Sequence, residues 1–240
     1  MGGRRLRVAL LVVALLVGGA GIALRSRAGG GSGEAAPTTV PSTLPTTTVP
    51  PTIPGETTLV PPPDLTSVAP TDQFVIAAGG AGPIGAGPPH VYTVEVEVGL
   101  PLDPTAVAAT VDAVLADPRG WTKDGTGFQR TADPTVASLR VVIATPATTD
   151  LLCAPLRTSG RFSCFERGVV VLNAARWFDG AAVESGLGLD DYRAAAINHE
   201  IGHAIGHPDV ACPAPGVPAP IMVPQSSSIG GCLPNAWPYP

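Results

Sequence analysis

One run of residues carries chemistry on its face: His199-Glu200-Ile201-Gly202-His203, followed by Gly206, His207, Pro208 and Asp209. Two histidines four apart on a helix lie one turn apart on nearly the same side, so both imidazoles can reach one ion. Glu200 is the next residue along, beside the ion rather than on it, which is where a water about to attack needs a base. The pattern is that of a zinc site that activates water. His and Glu are ordinary helix-surface residues, so the short motif alone also arises by chance. Here it lies on a helix-forming stretch downstream of an export-type segment, and it gathers three of the four histidines in the chain.

A third ligand has to come from downstream. No glutamate follows Glu200, which removes sites that borrow one from a later helix. The remaining donors are His207, Asp209, Cys212, Cys232 and Tyr239. Pro208 pushes His207 out of helical geometry, whereas a chain turning at Gly206 brings a residue three further on, Asp209, back toward the metal. Asp209 is the expected ligand and His207 the alternative. His90, alone at a strand start, reads as packing, and Tyr239 as tail packing more than an oxyanion donor.

The elements that must position these groups are legible from periodicity. Ile197, Ile201 and Ile205 recur every four residues opposite the histidines, giving the helix a core stripe and a cleft stripe. Ala195, Ala196 and Gly202 flank the histidines and leave room beside them. Asp190 and Asp191 are expected to cap and charge the helix start, with Gly206 and Pro208 ending it. Upstream, His90 to Val98 alternates, with Tyr92, Val94, Val96 and Val98 on one side and Thr93, Glu95 and Glu97 on the other, the signature of a half-buried strand. Asp103 and Pro104 open a helix that runs to about Ala116. A strand around Phe128 precedes a stronger one at Leu139 to Ala144, whose continuous apolar run suits a central position. Arg161 to Glu166 and Val169 to Asn173 form a hairpin across Arg167-Gly168. The Gly- and Pro-rich piece from Gly79 to Pro89 is either a flexible stretch or a loop within the domain.

His199, Glu200, His203, Gly206 and Asp209 resemble the extended motif of the metzincin clan of zinc peptidases, in the form that ends in Asp, as in small secreted bacterial neutral proteases of the snapalysin kind. The clan places a methionine in a tight turn under the zinc, and Ile221-Met222-Val223-Pro224 looks like that turn. The resemblance implies an α+β, metzincin-like fold: a small twisted mixed sheet packed on an N-terminal helix and a zinc-binding active-site helix, with an irregular C-terminal segment. It also implies that Arg161 to Glu166 is the edge strand beside the cleft, where an extended peptide adds by main-chain hydrogen bonds, and that Cys153 and Cys164 pin this edge to the preceding loop. The region from about residue 72 to the Pro234–Pro240 tail is also similar to a family of uncharacterised exported actinobacterial domains, in which histidine is usual where this chain has Asp209. That departure keeps His207 in play as third ligand.

Composition sets the compartment. Arg4, Arg5 and Arg7 precede an uncharged apolar run from Val8 to Leu24, and Arg25 and Arg27 follow it. Residues 1–33 are therefore expected to be an uncleaved signal anchor, with a cleaved signal peptide as the alternative. Residues 37–70 hold 10 Pro and 10 Thr with almost no charge, so 34–71 is expected to be a disordered linker. At about 3.1 Å per residue it would hold a domain up to roughly 100 Å from the membrane, enough to cross a cell wall. Residues 72–240 form one domain. Past residue 33 nine basic residues face 19 acidic ones, a net of −10 that disfavours nucleic acid as a partner. Four cysteines in an exported chain fit two disulfides, and Cys212 with Cys232 are placed to close the irregular tail.

The expected function is an exported, zinc-dependent endopeptidase with Glu200 as general base and a peptide or protein substrate, at the cell membrane or secreted. Two other readings compete. One is a non-catalytic surface module that binds peptides or cell wall on the same fold; the other is amide hydrolysis of cell-wall stem peptides.

Overall fold

A computed structural model of the chain describes residues 63–65, 68–180 and 186–240. The expected signal anchor and most of the Pro/Thr-rich linker lie outside the described residues. Among the described residues no helix is long and apolar enough to cross a membrane.

Strands β1 (Phe74–Ile76), β2 (Ala81–Ile84), β3 (Pro89–Glu97), β4 (Gly127–Arg130), β5 (Leu139–Ala144), β6 (Cys164–Glu166) and β7 (Val169–Asn173) make one mixed sheet. Its order is β2-β4-β3-β5-β7-β6, with β1 alongside the second half of β3. The central strands β4, β3, β5 and β7 are parallel, and β1, β2 and β6 run antiparallel to their neighbours. Helices α1 (Pro104–Ala116), α2 (Pro146–Leu152), α3 (Ala174–Asp179) and α4 (Leu189–Ala204) complete the framework, with a 3-10 turn at Trp121–Asp124. The architecture is mixed, a twisted sheet with helices, consistent with α+β.

The main core lies between one face of the sheet and helices α1 and α4. Tyr92, Val94, Val96, Val141, Ile143, Val170 and Leu172 meet Val107, Val111 and Leu115 of α1 and Ile197 and Ile201 of α4 there. α1 begins as expected, Asp103 accepting from the Thr105 amide with Pro104 at the first position. A three-way bond holds it on the sheet: the Tyr92 hydroxyl and Arg130 guanidinium both donate to Asp112 of α1, at 2.7 and 3.0 Å.

The other face of the sheet is also covered, which corrects the expectation of a half-exposed β3. Thr93, Glu95 and Glu97 are each no more than 3% exposed. A second apolar cluster of Val142, Ala144, Val171 and the Cys153–Cys164 pair occupies that face. The alternating pattern reflects satisfied polar groups under cover, not solvent. Glu95 takes both arms of Arg140, at 2.9 and 2.5 Å. Glu97 accepts from the Thr145 amide and Thr148 hydroxyl, each at 2.6 Å, and from the Thr71 amide at 2.8 Å.

Other expectations change in detail. The folded region begins before residue 72, because Leu65 is already buried in the main core. The Gly79 to Pro89 stretch belongs to the domain and contains β2. The first hairpin strand is shorter than expected, only Cys164–Glu166; the Arg167-Gly168 turn has positive φ at both residues, 47° and 80°. At the start of α4 the cap is Gly188, with no side-chain bond. Asp190 and Asp191 lie in the first turn, so they charge the helix start without capping it. β1, β2, α2 and α3 were not anticipated, being too short to display a period. Both disulfides form, Cys153–Cys164 and Cys212–Cys232, as suits an extracellular or secreted protein.

Burial alone would raise the Glu97 pKa, but the hydrogen bonds from Thr148, Thr145 and Thr71 outweigh it and bring the carboxyl below its usual 4.5. Its stabilising contribution is therefore complete above that unfolded value and is lost as pH falls through the lower folded one. Glu97→Gln removes at least one charged acceptor, at a cost of about 2 kcal/mol. Denaturant melts at pH 7 should show this loss, and the gap between the two proteins should shrink steadily below pH of about 4.5.

Candidate metal centre

Helix α4 presents both histidines to one side and ends directly after them. Its last residue is Ala204, and Gly206 follows with φ of 100°, a left-handed conformation that reverses the chain without a Cβ clash. The Gly206 amide donates to His203 O and the His207 amide to Gly202 O, closing the turn at 3.0 and 2.9 Å. This bend carries Asp209 back over the helix.

His199 and His203 sit with ring centroids 4.7 Å apart and planes nearly perpendicular. His199 Nδ1 donates to the Ile221 carbonyl and His203 Nδ1 to the His207 carbonyl, both at 2.9 Å. A carbonyl oxygen can only accept, so each Nδ1 carries a proton, and in the neutral ring that tautomer leaves the lone pair on Nε2. Burial also holds the His199 pKa below its usual value, which favours the neutral, ligating form. Asp209 Oδ1 lies 3.4 Å from both Nε2 atoms.

That spacing tests whether an ion fits. A charged hydrogen bond would draw nitrogen and oxygen to roughly 2.7–2.9 Å. Donors on a tetrahedral ion, at bond lengths of about 2.0–2.1 Å, stand roughly 3.3 Å apart. Both Asp209 distances match the second spacing, and two imidazole nitrogens with one carboxylate oxygen form a donor set that suits zinc. The donor atoms of His199, Glu200 and His203 also fall within 4.8 Å of one another, a looser grouping. Of the two candidates, Asp209 is the one placed equally from both imidazoles. The His207 ring is turned elsewhere, stacked on Trp121 at 4.5 Å between centroids.

Glu200 borders the same cavity as His199 but is only 6% exposed. Burial, reinforced by the negative charge of Asp209, pushes its pKa up to about 8. A cation beside it would favour the carboxylate and bring that value down. Next to His199 and Glu200 is a cavity of about 310 Å³. It runs along α4 past Ala196 and Ala195 to Tyr192, and Ile221, Val223 and Pro224 face it from the C-terminal segment.

Residues 61–231 match the family described as "Protein of unknown function (DUF3152)". The chain belongs to that family. The matched span includes the whole candidate site and stops before the Pro234–Pro240 tail. No curated protein and no solved structure matches the chain.

Ala195 and Ala196 line the cavity as expected, but the role expected of Gly202 changes. Gly202 is buried, and a Cβ there would run into Met222 Sδ and come within 2.9 Å of Trp121 Cζ2. Its missing side chain makes room for Met222 and Trp121, not for substrate. Met222 lies in a tight turn closed by the Val223 amide donating to Pro220 O at 2.9 Å. The same turn supplies the Ile221 carbonyl to His199, and Met222 O accepts from the Val210 amide next to Asp209. Residue types do not announce these contacts, since they are made by main-chain atoms. Trp121 was likewise missed: its Nε1 donates to Asn198 O of α4 at 2.9 Å from a turn 77 residues away. Tyr239 packs edge-on against Trp121, and His90 against Phe128.

Gly202→Ala should therefore overpack the underside of the site. The expected cost is about 1–3 kcal/mol, read as a fall of roughly 2–4 °C in Tm per kcal/mol for a domain of this size. An unchanged Tm would mean that Met222 and Trp121 are not wedged against this glycine.

Proposed function

We propose that this is an exported zinc-dependent endopeptidase of metzincin type. The observation that carries the reading is the placement of Asp209 Oδ1 at 3.4 Å from both His199 Nε2 and His203 Nε2, with the buried Glu200 alongside. His199, His203 and Asp209 would hold the ion and leave a fourth position open, as catalytic zinc sites do. Supporting features are the Met222 turn beneath α4 and the antiparallel edge strand β6, with Phe162 and Ser163 just before it lining the same cavity as His199 and Glu200.

When bound, zinc would supply Lewis acidity, lowering the pKa of a water to around 7 and polarising a carbonyl. Glu200 Oε takes the proton from the attacking water as its oxygen bonds to the peptide carbonyl carbon. As the C–N bond breaks, Glu200 returns that proton to the leaving amine. A cation beside it would offset the effect of burial and keep Glu200 as the carboxylate that accepts this proton. The edge of β6 offers main-chain groups to an extended peptide. The cavity beside Glu200, with walls from Ala195, Ala196, Ile221 and Val223, accepts one large apolar side chain next to the scissile bond.

The purified chain should contain about one zinc and cleave an unstructured protein such as casein, and a chelator should abolish the cleavage. Glu200→Gln should keep the metal and lose roughly 10²–10⁴-fold in kcat, whereas His203→Ala should lose the metal. Cleavage by Glu200→Gln at the parent rate would remove Glu200 from the mechanism. Metal uptake without any cleavage of casein or purified cell wall would favour a binding module.

A further inference from the structure

We infer that His207 is a positioning residue: its ring, stacked on Trp121, holds the bend after α4 so that Asp209 reaches both imidazoles. This rests on the metal-site reading above and gives His207 a role in it other than that of ligand.

The Asp209 carboxylate is aimed by very little of its own. Its side chain is 58% exposed, and it stands three residues past a glycine with φ of 100°. The segment from Gly206 to Asp209 is tied down at both ends. Beyond Asp209, the Val210 amide donates to Met222 O at 3.0 Å. Before it, the tie is His207, which makes three contacts at once. Its amide donates to Gly202 O, its carbonyl accepts from His203 Nδ1, and its ring lies on Trp121 at an interplanar angle of 19°. The first two contacts are available to any residue except proline. Only the stack depends on the side chain.

Trp121 is a rigid post for that stack. It is 4% exposed, its Nε1 is bonded to Asn198 O on α4, and one edge of its indole packs against Gly202. Tyr239 closes off another edge at 6.4 Å and is itself tethered to Asp124 by its hydroxyl at 3.2 Å. The indole therefore moves with α4, and a ring stacked on it fixes the backbone at position 207 relative to the helix that carries both histidines. Without the stack, the span from Gly206 to Asp209 keeps its length but loses its orientation, and one of three donors is no longer preset. Groups outside the first coordination shell that orient a ligand are worth roughly 10–100-fold in metal affinity.

The test separates an aromatic stack from a ring nitrogen that binds metal. Zinc affinity of the full chain, with both disulfides formed, is measured by competition with a chromogenic chelator for wild type, H207A, H207F and D209A. The inference expects H207A to bind zinc roughly 10–100-fold more weakly, H207F to return to within about threefold of wild type, and D209A to be the weakest of the set. Restoration by phenylalanine cannot arise from a lost ligand, because phenylalanine has no donor atom. If H207F is as weak as H207A, the ring nitrogen is what matters and the inference falls. It falls equally if H207A matches wild type, with the zinc reading left standing. A wild-type chain that takes up no zinc at all overturns both.

Discussion

Two hydrogen bonds from imidazole Nδ1 to main-chain carbonyls govern the site. They orient both rings, with each Nδ1 proton on the carbonyl side and both Nε2 atoms turned toward Asp209 Oδ1. One carbonyl comes from Ile221 in the C-terminal turn, the other from His207 in the bend after α4. The otherwise irregular C-terminal segment must therefore be held firmly, and it is. Cys212–Cys232 closes it, the Gln225 side-chain amide donates to the Asn235 carbonyl and accepts from the Asn235 amide, and Asn235 Nδ2 donates to the Ala219 carbonyl. A segment without helix or strand needs such ties because its polar backbone has no ladder to satisfy it.

Charge is distributed so that each carboxylate has a different environment. Glu200 is buried with no cationic partner among the described residues, and its pKa rises. Glu97 is buried among hydroxyl and amide donors, and its pKa falls. Glu95 is paired with Arg140 across two strands. Only the first arrangement is costly in the absence of a ligand. A buried carboxyl without a satisfied charge is a poor structural element, so its place beside His199 and His203 supports the functional reading proposed above. Glu95 and Glu97 serve the sheet, and they allow a strand with charged residues on one face to run through the interior.

Helix α4 is shared between these demands. Ile197 and Ile201 anchor it to the sheet, Gly202 admits Met222 and Trp121 beneath, and His199, Glu200 and His203 bring their donor atoms together on a further side. A helix used on three sides has little freedom to shift, which suits a site whose donors must be placed to a fraction of an ångström. Trp121 links this helix to the turn after α1, so the early part of the chain also bears on the position of the bend.

Local pattern determined a good part of this molecule. The spacing of His199 and His203, the stop at Gly206 and the extent of α1 and β5 follow from periods and turn residues within a dozen positions, and the structure has them where those rules place them. The approach of Asp209 could be stated only as one of two options, because Pro208 and Gly206 limit His207 without aiming Asp209. Short elements such as β1, β2, α2 and α3 span too few residues to show a period, and the buried face of β3 looked exposed because polar side chains mark solvent only when no partner waits in the fold. What tertiary structure alone decided are the contacts between distant stretches: Ile221 with His199, Trp121 with Asn198 and His207, Met222 with Gly202. These depend on main-chain atoms and on ring orientation, neither of which residue identity encodes locally, so they exist only once the sheet, α4 and the C-terminal segment have packed together.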